Sequence, residues 1–406
     1  MYYLHHYFDP DFSHMKLSPL VSDDGSTDYH YLGYVQNVVA GQVLAELGDL
    51  DTIPVGKRDP RFIYKEHRLP VGPNTDLHHH SPNKIVATAN GYVFYHNGLI
   101  SVKKLLNIRG NVGFHTGNIF FVGDLSVHGD IQTGFAVHAA NVLVKQHIES
   151  AKIKSLNDIV CLGGVKGAEF PQADGSSSSP PLPNTLLEAG GSIRLPFCER
   201  VQLRARGNVI IDGHCLHSTI YAGGNVIIRG RLQGGAVYAN HLVYVENQLG
   251  SDYSTATKIL MGYDPFDFLL VQKLESKIRY HQGKVDYFRS QASRNPVMAQ
   301  EFGPRRDLAE HKLYLMQQKR SALWQNLRQD EVLARKCRLV VPGTIMPGCE
   351  VSIGQADYHT GRQVQNAAFY LERDSVVCSS PAMPTENSVL QYHSGIPHKP
   401  GQSGKN

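Results

Sequence analysis

A small polar residue followed by an apolar-x-apolar pair recurs through the middle of this chain. It stands at Asp124-Leu125, Asn141-Val142, Asp158-Ile159, Ser192-Ile193, Asn208-Val209, Asn225-Val226 and His241-Leu242. The polar positions step by 17, 17, 34, 16, 17 and 16 along the chain. Each unit holds two or three short strands, such as Asn208–Asp212 and Asn225–Arg229, with glycine turns between them. A unit this small cannot bury its own apolar face, so successive units must stack. Stacked coils of about 16–17 residues with period-two strands predict a mainly β chain built as a parallel β-helix, each strand pairing with its equivalent one coil later. Leucine-rich repeats are the competing solenoid, but no LxxLxLxxN pattern is present. The doubled step of 34 contains Pro171–Pro183, a Ser/Pro run that reads as a surface-loop insertion over 171–184.

Composition agrees with repeated tight turns. Glycine makes up 38 of the 406 residues, and charged residues only 19%, below the usual ~25%. The length admits two or three domains with a sizeable core, and 41% hydrophobic residues exclude a disordered chain. No run approaches the ~18 apolar residues of a membrane span, so no transmembrane segment is expected. The start, Met1–Asp9, lacks the basic and apolar regions of a signal peptide, which predicts a cytoplasmic protein. A net charge of +4 is too weak to imply nucleic acid. The six cysteines (Cys161, Cys198, Cys215, Cys337, Cys349, Cys378) form no CxxC. They read as free, mostly buried thiols rather than a zinc or redox site.

From about Pro265 the pattern turns helical. Val271, Leu274, Ile278, His281, Val285, Phe288 and Ala292 alternate steps of three and four, the seam of a coiled coil. Arg294-Asn295-Pro296 and then Gly303-Pro304 are expected to break the helix. A second arm follows with Ala309, Leu313, Met316, Leu323 and Leu327, interrupted by Arg320. Two arms of about 30 residues make an antiparallel hairpin roughly 45 Å long at 1.5 Å per residue. Strand patterning returns at Cys337–Gly354, so the hairpin is an insertion in the solenoid. Before the repeats, Val38–Ala45 and Ile85–Val102 are hairpin-like with Asn-Gly turns. They resemble the sandwiched half-barrel of biotinyl and lipoyl carriers, without a lysine at Asn90-Gly91. The expected organisation is a short N-terminal segment (1–34), a small barrel-sandwich β-domain (35–105), the β-helix (106–263 and 337–378), the helical hairpin (264–336) and a disordered tail (379–406).

Several segments resemble a known family. Thr116-Gly-Asn-Ile-Phe-Phe-Val-Gly-Asp-Leu-Ser-Val-His-Gly-Asp130 is similar to its TGNI-x-F-x-GD-x-x-I-x-GD segment. Gly163–Ala168, Glu188–Ile193 and Gly250–Gly262 are similar to further segments in the same order. The family is the bacterial flagellar assembly protein A family, and the resemblance runs from about Val38 to Val377. It implies a right-handed parallel β-helix preceded by a carrier-like β-domain. It also implies a cytoplasmic, non-enzymatic protein connected with flagellar assembly or cell-pole organisation.

Candidate chemistry is sparse. His78-His79-His80 with Asp76 is the most metal-like cluster, but consecutive side chains on an extended loop alternate in direction and rarely converge on one ion. A solvated loop is the stronger reading, and no cofactor is expected. Asp130 and His147, and likewise Asp212 and Arg229, stand 17 apart, one coil. They read as cross-strand polar pairs worth about 0.2–1 kcal/mol. The alternative, a carboxylate or cation of a polysaccharide-cleaving site, needs a groove lined by several such groups, so no catalytic residue is assigned. Lys145, Lys152, Lys154 and Lys166 read as a solvated face.

Charge is concentrated in the hairpin. Residues 265–336 carry 14 basic and 8 acidic residues, which leaves 26 basic and 28 acidic elsewhere. A basic helical arm suits docking to an acidic protein surface, or more weakly to nucleic acid or lipid headgroups. Arg294, Arg305, Arg306 and Trp324 are its candidate contact residues, with Trp324 equally suited to packing between the arms. The sequence therefore predicts a non-enzymatic scaffold or partner-binding protein, with homo-oligomerisation compatible with this reading. A bactofilin-like polymer of end-to-end β-helices and a carbohydrate-active β-helix are the alternatives.

Overall fold

A computed structural model describes the chain except Ser18, residues 22–26, 169–184, 253–255, Asn295, 329–330 and 381–406. The Ser/Pro insertion and nearly all of the expected tail thus lie outside the described residues. The chain divides into two compact units. One comprises Met1–Arg206 with Ile210–Asp212, and the other Gly207–Val209 with the residues from Gly213 onward.

The first unit opens with two antiparallel sheets. In the larger, the order is Ile63–Tyr64, Tyr2–His6, Val43–Asp49, Ser81–Ala87, Thr75–His78; the smaller is Leu99–Lys103, Gly91–His96, Asn37–Val38. Leu4, Leu44, Ile85, Val93 and Ile100 share one core between them. Residues 2–6 are therefore a strand of the β-domain rather than part of a separate leading segment. Leu4 is their single aliphatic anchor, opposite Leu47, and is fully buried. Asn97 and Gly98 both adopt left-handed backbone, φ 51° and 74°, which closes the hairpin Gly91–Lys103 with the twist two strands require. Asn90-Gly91 closes no hairpin, because it carries the chain from the larger sheet to the smaller.

Three parallel ladders follow, and each coil contributes one rung to each. Leu106, Leu125, Val142, Ile159 and Ile193 stack on the first. Val112, Ile131, Ile148, Val165 and Cys198 stack on the second. Ile119, Val137, Ile153, Leu187 and Leu203 stack on the third. All fifteen are buried, so the apolar alternation of every strand points into one narrow core. Ile153 pairs directly with Leu187, so the third ladder closes across the doubled step.

The corners explain the polar repeat position. The Asp158 backbone N–H donates to Asn141 Oδ1 at 3.2 Å, and the Ser192 N–H to Asp158 Oδ1 at 2.7 Å. At the next corner the Asp130 N–H donates to Asn111 Oδ1 and the His147 N–H to Asp130 Oδ1, at 2.9 and 2.8 Å. Each side-chain oxygen satisfies an N–H of the next coil where the chain bends out of the ladder. At two of these corners the oxygen occupies the space a Cβ on the preceding residue would fill, which is why Gly191 precedes Ser192 and Gly129 precedes Asp130.

The second unit continues the pattern. Ile220, Val237, Ile259 and Val351 stack on one ladder, and Cys215, Leu232, Leu249 and Ile345 on another. The Asn225 N–H donates to Asn208 Oδ1 at 2.8 Å, the same corner bond. Register corrects the final sequence step. Val226 pairs with Val243, so the coil is one position longer than the polar step implies and His241 is not the equivalent of Asn225. Leu242 takes that place, packed with Ile227, Tyr244, Val340 and Ala368 in an apolar cluster.

Leu242 and Val243 pair with Arg338 and Leu339, so adjacent rungs flank the entire helical insertion. That insertion comprises α1 (Pro265–Arg294), α2 (Pro296–Arg328) and the short α3 (Glu331–Lys336). The expected break at Gly303-Pro304 does not occur, and α2 runs through it. The proline removes a single backbone donor. Stacking of Phe302 on Phe288, 5.8 Å between centroids, holds that turn to α1. Beyond Ile353 the parallel ladder gives way to antiparallel strands. Ala356–His359 pairs with Cys349–Ile353, and Val364–Glu372 joins Arg338–Ile345 to Ser375–Ser379.

Gly191→Ala is expected to destabilise the first unit by about 1–3 kcal/mol, because the added methyl meets a fixed carboxylate. In an Asp158→Ala background most of that penalty should vanish. Urea titrations of the two single variants and the double variant measure the coupling.

Candidate functional site

The hairpin is anchored by an aromatic ladder on the solenoid wall. Tyr221 and Tyr238 are one rung apart and stack nearly parallel, 4.7 Å between centroids with a 5° interplanar angle. Phe268, in the first turn of α1, sits 5.2 Å from Tyr238, and the Tyr221 hydroxyl is 3.0 Å from Gln272 Oε1. Val271 and Leu274 are buried just beyond. At the other end of the insertion, Ala334 of α3 packs against Gly262 closely enough that a Cβ there would crowd it. The arms then pack on each other through Ile278, Val285, Ala309 and Leu313, with Phe288 and Met316 alongside. His281 stands in the same seam, and its buried Nδ1 has no hydrogen-bond partner among the described residues. The tyrosine pair is absent from a reading of the repeat alone, although its one-coil spacing is a signal: two aromatics at one outward register position.

The candidate contact residues fall in different environments. Arg305 lies 3.6 Å from Glu301 and over the Phe302 ring, and Arg306 lies 2.8 Å from Asp307 and 4.0 Å from Glu310. Both guanidiniums are thus already engaged within α2. Arg294 is the last residue of α1, and its side chain lies outside the described set. Trp324 is half-buried on α2. Arg289 bridges the arms to Glu310 at 3.3 Å.

On the solenoid, outward charges pair along the rungs. Lys154, Glu188 and Arg204 occupy successive rungs, with separations of 3.2 and 3.5 Å. Lys258 meets Glu350 at 2.8 Å, one rung away. Asp130 and His147 approach to 3.6 Å, the one-coil pair their spacing predicts, and Asp212 is met by Arg194 at 3.1 Å. Such exposed pairs order the surface and add little stability.

His78, half-buried, ends the strand Thr75–His78, and exposed His79 and His80 form the bend to Ser81–Ala87. The His80 backbone N–H donates to His78 Nδ1 at 3.3 Å, a local turn contact. Among the described residues no three His, Cys, Asp or Glu side chains gather as a metal would need. No disulfide joins the described cysteines. Burial pushes the Cys337 and Cys349 thiols up to about 11, which suits a packing role.

The β-domain carries a recess of about 60 Å³ lined by Phe12, His14, Gln36 and Tyr92. That is room for about two waters, far below a small-molecule site of ~300 Å³. His6 lies close by, its ring against Phe8, Phe62 and Tyr95 and its buried Nε2 without a partner among the described residues. Burial, reinforced by the positive charge of His5 and Arg61, lowers its pKa to about 4.

A solenoid of parallel rungs with an extruded helical arm defines the class as β-solenoid proteins. Residues 104–376 match the family described as the Flagellar Assembly Protein A beta solenoid domain, and the chain belongs to that family. The match begins where the coils begin, so the β-domain lies outside it. No curated protein and no solved structure matches the chain. Among the described residues no helix is long and apolar enough to cross a membrane.

Two outcomes follow from these contacts. Tyr238→Ala is expected to cost roughly 2 kcal/mol of local stability, seen as faster amide exchange in the first two turns of α1 with the coils unchanged. The lowered His6 pKa makes stability full above about pH 6.5 and lost as pH falls towards 4, because the unfolded chain takes the proton that buried His6 refuses. His6→Phe should therefore narrow the gap between urea midpoints at pH 7 and pH 5.

Proposed function

We propose that this chain is a non-enzymatic cytoplasmic scaffold of flagellar assembly or cell-pole organisation, with the helical hairpin as the arm that contacts its partner. The supporting observation is the register across the insertion. Rungs Leu242–Tyr244 and Arg338–Val340 pair directly, so the hairpin leaves the wall without interrupting the ladder. The ladder closes without the long arm of α1 and α2, yet the insertion carries more basic than acidic residues while the rest of the chain carries fewer. Membership of a flagellar assembly family supports the cellular setting.

The competing readings fit the wall less well. A polymer of stacked β-helices needs an open parallel rung at each end, whereas here the last parallel strands are paired by antiparallel ones. A polysaccharide-cleaving surface needs unpaired acids in a groove, whereas Glu188, Asp212 and Glu350 are each held by a neighbouring cation.

Replacing 265–336 with a short Gly/Ser linker tests the proposal. The variant should keep its strand circular dichroism and its protease resistance while losing the partner recovered by affinity purification from the native host. Full retention of that partner by the folded deletion would sink the contact-arm reading.

A further inference from the structure

One flank of the hairpin holds cations that no carboxylate among the described residues neutralises. At about 100° per residue, side chains just before and just after a seam position lie on opposite flanks of a helix. In an antiparallel pair, residues that follow the seam meet on one side and residues that precede it meet on the other. The Arg289–Glu310 bridge marks the first side, since these residues follow Phe288 and Ala309. Glu275 and Asp286 follow Leu274 and Val285 and share that side.

The other side is different. Lys277 and Lys284 precede Ile278 and Val285 on α1, and Lys312 and Lys319 precede Leu313 and Arg320 on α2. All four are exposed, and among the described residues none has a carboxylate within ion-pair distance. Among the described residues the acid on this flank is Glu301, near the tip, and Arg305 takes it. Next to the lysines, on the outer edges, stand Tyr280 and Tyr287 of α1, 59% and 52% exposed, and Leu308 and Leu315 of α2, 57% and 53% exposed. Lys284 lies over the Tyr280 ring at 4.6 Å. The face thus has a basic centre line with Tyr280 and Tyr287 along one edge, where Lys273 precedes them, and Leu308 and Leu315 along the other.

That lateral order selects among polyanions. A helix docked in the groove would bury the centre and leave the edges to solvent, which calls for an apolar centre and charged edges. Nucleic acid would use the lysines and leave both leucines in water. A bilayer surface offers phosphate and acyl chain side by side at every point. Lysines there reach headgroups on their flexible stems, while tyrosine and leucine enter the interfacial layer.

Resting on the contact-arm reading above, we propose that this face of the hairpin lies on an anionic phospholipid surface, with the lysine line against headgroup phosphates and the Tyr and Leu edges in the interface. The test is co-sedimentation of the full-length chain with vesicles of phosphatidylglycerol mixed into phosphatidylcholine, and with vesicles of phosphatidylcholine alone. Binding is expected to the anionic vesicles only, and to weaken with salt. A K277Q/K284Q/K312Q/K319Q variant should bind roughly a hundredfold or more weakly, each lysine near such a surface counting for about fivefold. Leu308→Ser with Leu315→Ser should also weaken binding, whereas Arg279→Gln with Arg289→Gln, on the opposite flank, should not.

Helix content by circular dichroism accompanies every variant, and a K312Q/K319Q pair stands in should the fourfold variant lose helix. No binding to the anionic vesicles overturns the proposal. So does equal loss from the opposite-flank pair, or tighter binding to a short DNA duplex that ignores the leucine changes. A chain that misses vesicles yet loses its partner on deletion of 265–336 overturns the lipid surface and leaves the contact arm standing. One that misses vesicles and keeps its partner on deletion overturns both.

Discussion

One short side-chain oxygen per corner, accepting a backbone N–H from the next coil, is the constraint on which the structure depends. Strand segments satisfy their polar groups through the ladders, and the bends do so only in part, by backbone bonds such as Asn157 N–H to the Ala140 carbonyl. Asn141, Asp158 and Asn208 supply the missing acceptor at 2.7–3.2 Å. The bond works only if the coil closes on its equivalent residue, so it helps to fix the length of each coil. With length fixed, Ile, Val and Leu fall on one another, and three buried stacks form. A one-residue error would turn each strand's apolar set outward.

Because register is held locally, the wall tolerates large insertions. The rungs close across 169–184 and across the hairpin alike, with Ile153 against Leu187 and Leu242 against Arg338. The hairpin is not merely extruded, however. Phe268 on the Tyr221–Tyr238 stack and the Tyr221–Gln272 contact give its first helix a seat on the wall. A tethered loop would carry its charges in no fixed direction, whereas a seated helix presents them on defined flanks.

Charge is handled in two opposite ways along one chain. Solenoid carboxylates meet cations one rung away, as at Lys154–Glu188–Arg204 and Lys258–Glu350. The hairpin carries Glu275, Asp286 and Glu310 on one flank, and on the other its four lysines, with Glu301 near the tip held by Arg305. Composition alone pointed to Arg305 and Arg306, which prove to be paired with acids adjacent in sequence or one turn away. Tyr2–His6 is weakly patterned for a related reason: its alternation is carried by tyrosine and histidine around the single aliphatic Leu4, and the partner strand Val43–Asp49 makes it a strand. Pro304 reads as a helix end in isolation, yet seam packing on both sides of it outweighs one lost donor.

The sequence by itself determined the repeat, the solenoid, the inserted hairpin and the positive balance of that arm. These follow from spacing, because periodicity and charge are properties of order along the chain. Tertiary structure decided which cations remain unpaired, where the arm is seated, that Val243 rather than its neighbour closes the coil on Val226, and that the chain's first strand belongs to the β-domain. Those depend on distances between residues far apart in the chain, and spacing alone does not encode such distances.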